Sequence, residues 1–274
     1  MDAVVHDPRL MTPEQAMAAS VAAFEHRYHY RLELSITGRV RFLSHLETVD
    51  TLLGALRRSG VRLALSPGMK PKPRIKVAMP RPVAAEAWND IVEVELQDQV
   101  DADQFALQLS EVLPAGLGLQ RLERIEGSYT SAASRVAGAT WRWVLEPGDV
   151  DPDALRLGVS QLLAAEEASI ERASPGKQAR RVDVRRFISD MDVVTGDGEL
   201  AVRAFVRLTD AGSAKPEEVM RALGAAMGGL VLNPRRTVRE SIAIAEPGTG
   251  GRVAEPAIVG AEVPDGPARP WGAC

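Results

Sequence analysis

Ser66-Pro67-Gly68-Met69-Lys70-Pro71-Lys72-Pro73-Arg74-Ile75-Lys76-Val77 is the most informative run in the chain. It sets four cations among three prolines and one glycine without an acid, although the whole chain carries a formal net charge of −4. A lysine-studded loop feeding a strand is a surface suited to an anionic polymer. A shorter version follows later, at Ser174-Pro175-Gly176-Lys177 with Arg180, Arg181, Arg185 and Arg186 behind it. That echo points to a duplicated architecture.

The flanks of the two runs carry the same order of elements. Before the first, Tyr28 to Thr37 alternates with the period of two of a half-buried strand. Ser44-His45-Leu46-Glu47 matches a capping box, in which the serine accepts from the backbone three residues on and the glutamate reaches back. Leu46, Val49, Leu52, Leu53 and Leu56 then recur at helical spacing up to Gly60. Val61 to Leu65 reads as a short strand. Arg74 to Met79 reads as another, with Arg74 and Lys76 on one face and Ile75 and Val77 on the other. Asn89 to Gln97 alternates as a strand whose acids Asp90, Glu93 and Glu95 are expected to face outward. A helix starting at Asp101 and a strand over Leu117 to Ile125 follow.

The second half repeats this. Trp141 to Leu145 is a strand, Asp151-Pro152 caps a helix, and Ala168 to Arg172 and Arg181 to Ile188 flank the second turn. Glu199 to Leu208 is a further strand, Lys215-Pro216-Glu217-Glu218 opens a helix, and Leu230 to Ile244 closes the unit. The fold expected is α+β: tandem ferredoxin-like (split βαβ) units with antiparallel sheets. The units span residues 28–126 and 140–245, joined by a linker at 127–139. A helical arm over 1–27, opened by Thr12-Pro13, and a disordered tail over 246–274 flank them.

Composition narrows the function. With 45% hydrophobic and 26% charged residues, the chain has the balance of a soluble globular protein. No run approaches a membrane helix and no terminal segment resembles a signal, so a cytoplasmic location is expected. The single cysteine, Cys274, excludes disulfides and cysteine-held metal clusters within the chain. His26 and His29 have a metal-compatible spacing but no accompanying carboxylate motif, and no metal or other cofactor is expected.

Three stretches carry a resemblance. Arg41-Phe42-Leu43-Ser44-His45-Leu46-Glu47, the helix end Leu56-Arg57-Arg58-Ser59-Gly60 and the loop Leu65 to Ile75 resemble the bacterial radical-SAM-linked protein family, a domain of unknown function. Val182-Asp183-Val184-Arg185 and Asn233-Pro234-Arg235-Arg236-Thr237 extend the resemblance to about residues 28–245. It implies a separate radical SAM protein as partner, since this chain has no Cys-x-x-x-Cys-x-x-Cys. Met69 stands where family members often carry an aromatic residue.

The candidate nucleic-acid-binding residues are therefore Arg39, Arg41, Lys70, Lys72, Arg74, Lys76, Lys177, Arg180, Arg181 and Arg185. The function expected is a non-catalytic RNA-binding accessory protein working with a separate radical SAM enzyme in RNA modification or processing. Two alternatives stand beside it. One is a metal-independent endoribonuclease in which His45, on a helix's first turn, acts as general base; the other is a protein–protein adaptor for the radical SAM partner. Asp183, among arginines, is expected to form a surface ion pair or to orient Arg185.

Overall fold

The computed structural model describes residues 27–146, 148–174, 176–196 and 198–245. The expected arm, apart from Arg27, and the expected tail lie outside the described residues. The elements in chain order are β1 (Tyr28–Ile36), a 3-10 turn (Gly38–Phe42), α1 (His45–Arg58), β2 (Ile75–Val77), β3 (Glu86–Leu96), α2 (Ala102–Val112) and β4 (Leu117–Ile125). They continue with a 3-10 turn (Ala132–Arg135), β5 (Val136–Leu145), α3 (Pro152–Ala164), β6 (Ser169–Ser174), β7 (Lys177–Asp183), β8 (Ile188–Gly196), β9 (Glu199–Arg207), α4 (Pro216–Ala226) and β10 (Arg236–Ile244). No described helix is long and apolar enough to cross a membrane.

The sheet topology corrects the expected fold class. Eight strands form one mixed sheet in the order β4-β1-β3-β10-β5-β9-β8, with β2 paired to β3 off that path. β10 runs parallel to β3, with Val238 opposite Glu86 and Arg239 opposite Ala87. Separate antiparallel ferredoxin-like units are therefore not what the chain builds. The strand read as closing the second copy returns to the first, because its Arg239 is fully buried and pairs with Asp90 of β3. Charge buried in this way is tolerated only when paired. The second turn also sits differently from the first: β6 and β7 make their own two-stranded sheet.

Two compact units result. The first runs to Ala139 and resumes at Arg236; the second spans Thr140–Arg235. In the first, α1 and α2 cover one face of the sheet. Leu52, Leu53 and Leu56 of α1 and Phe105 and Leu109 of α2 pack on Tyr30, Leu32 and Leu34 of β1 and Val92, Val94 and Leu96 of β3. Tyr30 is held edge-on to Phe105, with ring centroids 5.6 Å apart, and its hydroxyl donates to the Val100 carbonyl at 2.7 Å. α1 starts with both halves of the expected capping box: Ser44 Oγ accepts from the Glu47 N–H, and Glu47 accepts from the Ser44 N–H. The expected strand Val61–Leu65 shrinks to two isolated bridges, Leu63 to Leu96 and Leu65 to Pro73.

In the second unit Asp151 caps α3, accepting from the Ala154 N–H at 2.9 Å, and Pro152 follows as first helical residue. α3 and α4 approach closely at Gly158, where a Cβ would lie 2.3 Å from Met227 Cγ.

Candidate nucleic-acid interface

The loop at 66–73 is a clasped projection. The Ser66 N–H donates to the Lys72 carbonyl at 2.8 Å, the Lys72 N–H returns to Ser66 Oγ at 3.0 Å, and the Arg74 N–H donates to the Ala64 carbonyl at 2.9 Å. Above this neck, Pro67 to Lys72 are all exposed. Gly68 turns the tip at φ +118°, a conformation costly for other residues. Pro71 and Pro73 restrict the descending limb. Lys70 and Lys72 make no ion pair among the described residues, and Met69 between them and the glycine is fully exposed.

Behind the loop the four cations part company. Arg74 turns inward and donates to Glu95 Oε2, which also accepts from Arg27 at 3.3 Å. Lys76 is exposed, its Nζ 5.2 Å from the Tyr129 ring centroid. The acids of β3 do not face outward as expected: Asp90, Glu93 and Glu95 are only 3%, 3% and 5% exposed. Glu93 accepts from Arg31 at 3.1 Å on one oxygen, and from the Tyr129 hydroxyl at 2.9 Å and the Ala132 N–H at 2.8 Å on the other. Residues 129–132, placed by sequence in a linker, thus close over Glu93 on the sheet face away from the helices.

His29 stacks on Tyr129, with ring centroids 3.9 Å apart and planes 13° apart. Burial pushes the His29 imidazole below its ordinary value against the opposing pull of Glu95 and Glu93. Its buried Nδ1 has no hydrogen-bond partner among the described residues. Burial, together with the hydrogen bond to Glu93, raises the Tyr129 hydroxyl well above its usual range. His26 lies outside the described residues, and no group of three or more His, Cys, Asp or Glu among the described residues is placed to hold a metal ion.

The remaining candidates occupy different settings. Arg39 is exposed on the 3-10 turn before α1. Arg41 beside it donates to Glu86 at 2.7 Å and lies over the Phe42 ring. In the second unit, Arg180 and Arg181 are exposed on β7, with Arg181 3.3 Å from Glu167. Lys177 opens β7, but its side chain is outside those described. Arg185 donates three times to carbonyls, twice to Leu163 at 3.0 and 2.7 Å and once to Ile188 at 2.8 Å, and so fastens the end of α3. Asp183 accepts from the backbone N–H groups of Ala168 and Arg185, and among the described residues it pairs with no guanidinium.

His45 is the first residue of α1 and is exposed. It stands at an apolar cleft between α1 and the sheet, walled by Leu34, Val49, Leu52, Val77 and Val92 and holding two buried charged residues, Arg81 and Asp90. Sequence reading grouped Asp90 with Glu93 and Glu95 and passed over Arg81. The signal was parity: Asp90 is in phase with Val92, Val94 and Leu96, the helix-covered positions.

Residues 29–216 match the family described as "Uncharacterized protein conserved in bacteria (DUF2344)". This chain belongs to that family. No curated protein matches this DUF2344 member. Among solved structures it is similar to a chain of a Cbf5-Nop10-Gar1 complex, at 11% identity and a TM-score of 0.43, covering 78% of this chain and 49% of that one. It is also similar to a chain of the archaeal box H/ACA sRNP Nop10-Cbf5 complex, at 11% identity and a TM-score of 0.40, covering 77% and 46%. An unknown protein from Galdieria sulphuraria overlaps at 12% identity and a TM-score of 0.22, covering 74% and 91%. The DUF2344 chain spans about half the length of the first two.

Proposed function

We propose that this DUF2344 protein is a non-catalytic RNA-binding accessory protein that holds RNA phosphates on the loop at 66–73. The observation that carries this reading is the clasp between Ser66 and Lys72, which projects Lys70 and Lys72 with no acid among the described residues paired to them. A flexible lysine loop loses entropy on binding; one closed at its neck and stiffened by prolines loses less. Arg74 and Arg41 are committed to Glu95 and Glu86, so the weight falls on Lys70 and Lys72, with Lys76 close behind them in sequence and exposed, and Arg39 exposed on the 3-10 turn before α1. The partner we propose is a separate radical SAM enzyme, on the strength of the motif resemblance from Arg41 to Ile75.

Binding of a fluorescent single-stranded RNA to the wild type and to a Lys70→Ala/Lys72→Ala variant, titrated over a range of salt, tests the RNA reading. The variant is expected to bind more weakly, with the slope of log K against log salt shallower by about 0.7 for each phosphate that is no longer neutralised. Equal affinity and equal slope would refute it.

A further inference from the structure

Met69, near the tip of the loop at 66–73, is fully exposed. Among the described residues of the first unit, the other large apolar residues that reach solvent are Phe42, Leu46, Leu65, Val83 and Leu107. They are between 39% and 72% exposed, so each keeps part of its surface on the fold. The backbone holds Met69 away from it. The hydrogen bonds between Ser66 and Lys72 close the neck, and Gly68 turns the chain at φ +118°. Lys70 and Lys72 each precede a proline, which favours extended backbone at both. A slack loop would lay Met69 against Leu65, the nearest large apolar side chain in sequence, yet Leu65 remains 39% exposed.

A single exposed apolar residue is ordinary on a protein surface. Met69 differs because it is held out on a stiffened projection beside Lys70 and Lys72, which make no ion pair among the described residues. Those lysines suit a strand of phosphates, and a strand of phosphates brings bases with it. An apolar protein pocket would fit the tip alone, whereas a nucleic acid fits the tip and the lysines together. Methionine suits this contact: its chain is unbranched, and its polarisable thioether lies favourably against aromatic rings. Apolar side chains, methionine among them, enter base steps where proteins unstack nucleic acid. In RNA, loops and bulges offer bases that are already free to splay.

We propose that Met69 packs on an unstacked base of unpaired RNA while Lys70 and Lys72 hold the phosphates beside it. The proposal rests on the RNA-binding reading above and adds a base contact to it.

The test compares a short unpaired RNA of mixed sequence with an abasic ribose-phosphate strand of equal length and charge, by fluorescence anisotropy. Met69→Ala is expected to weaken binding of the RNA about fivefold, the scale of one thioether on an aromatic ring. The salt slope should not change, because the same phosphates are still neutralised. Met69→Leu, which keeps the apolar volume, should stay within about twofold of the wild type. On the abasic strand all three proteins should bind alike. Methyl NMR of the wild type supplies a readout independent of affinity. The Met69 methyl, assigned by its loss in Met69→Ala, should move upfield with the RNA and not with the abasic strand. Equal affinity of wild type and Met69→Ala for the RNA, an equal loss on both strands, or a Met69 methyl that does not move overturns the base contact and leaves the phosphate-binding loop standing. If neither strand binds the wild type, the RNA reading itself has failed.

Discussion

At the scale of single residues, the first unit sets its charges against one another on the sheet face away from the helices. Glu93 and Glu95 are buried there only because Arg31, Arg74 and Arg27 meet them, with Tyr129 and the Ala132 N–H completing Glu93. His29, stacked on Tyr129, is the residue in this group whose ordinary pKa lies nearest neutral pH. Burial lowers its folded pKa below 6.5, so as pH falls through 6.5 the unfolded chain takes up the proton first. Stability is then full above that value and declines below it, down through the lowered folded pKa. His29→Phe keeps a ring for Tyr129 and should remove this decline, read as urea midpoints at pH 7.5 and 5.5. A variant as pH-dependent as the wild type would refute the assignment. This network was not legible in the sequence. Alternation put Glu93 and Glu95 on the face opposite Val92 and Val94, but nothing local announced that residues 129–132 would cover it.

At the scale of elements, local signals were the more dependable. Ser44 and Glu47, Asp101, and Asp151 with Pro152 mark helix starts by bonds that close within three residues, and each start is where it was read. The hairpin of β6 and β7 shows the opposite case. Arg172 of β6 donates from Nε to Glu218 of α4, with side chains 13% and 3% exposed, and Glu218 also accepts from the Lys215 N–H at 2.7 Å. Burial pushes the Glu218 carboxyl upward, but the hydrogen bonds and charge of Arg172 hold it below the ordinary 4.5. The folded pKa is depressed, so this contribution is present above about 4.5 and is lost as pH falls through the folded value. Glu218→Gln should cost about 3 kcal/mol at pH 7 by stranding Arg172. It should also flatten the acid limb of the stability profile, measured by denaturant unfolding at several pH values. A neutral substitution at pH 7 would show that the pair does not hold the hairpin to α4.

At the scale of the whole molecule, the decisive contact is Arg239 with Asp90. Beyond its ion pair, Arg239 donates to the Met79 carbonyl at 2.8 Å and the Pro80 carbonyl at 3.1 Å, tying β10 to the chain ahead of β3. Arg239→Met leaves Asp90 buried without its partner and is expected to cost about 3–5 kcal/mol. Asp90→Leu combined with Arg239→Met should recover part of that loss, since two apolar side chains avoid the stranded charge. Denaturant titration of both variants checks this; a loss below about 1 kcal/mol for Arg239→Met would mean that β10 is anchored by other contacts. The sequence by itself determined the helix starts, most of the strands and a lysine loop free of acids, because caps, alternation and proline restriction act over a few residues. It suggested a duplication because both halves use the same order of elements. Only the tertiary structure decided that β10 lies parallel to β3 and that Arg74 and Arg41 are consumed by ion pairs while Lys70 and Lys72 are not. The same structure set Arg81 and Asp90 in one cleft. An alternating strand records which of its faces is buried but not which neighbour it joins, and a buried charge finds its partner only across a long separation in sequence.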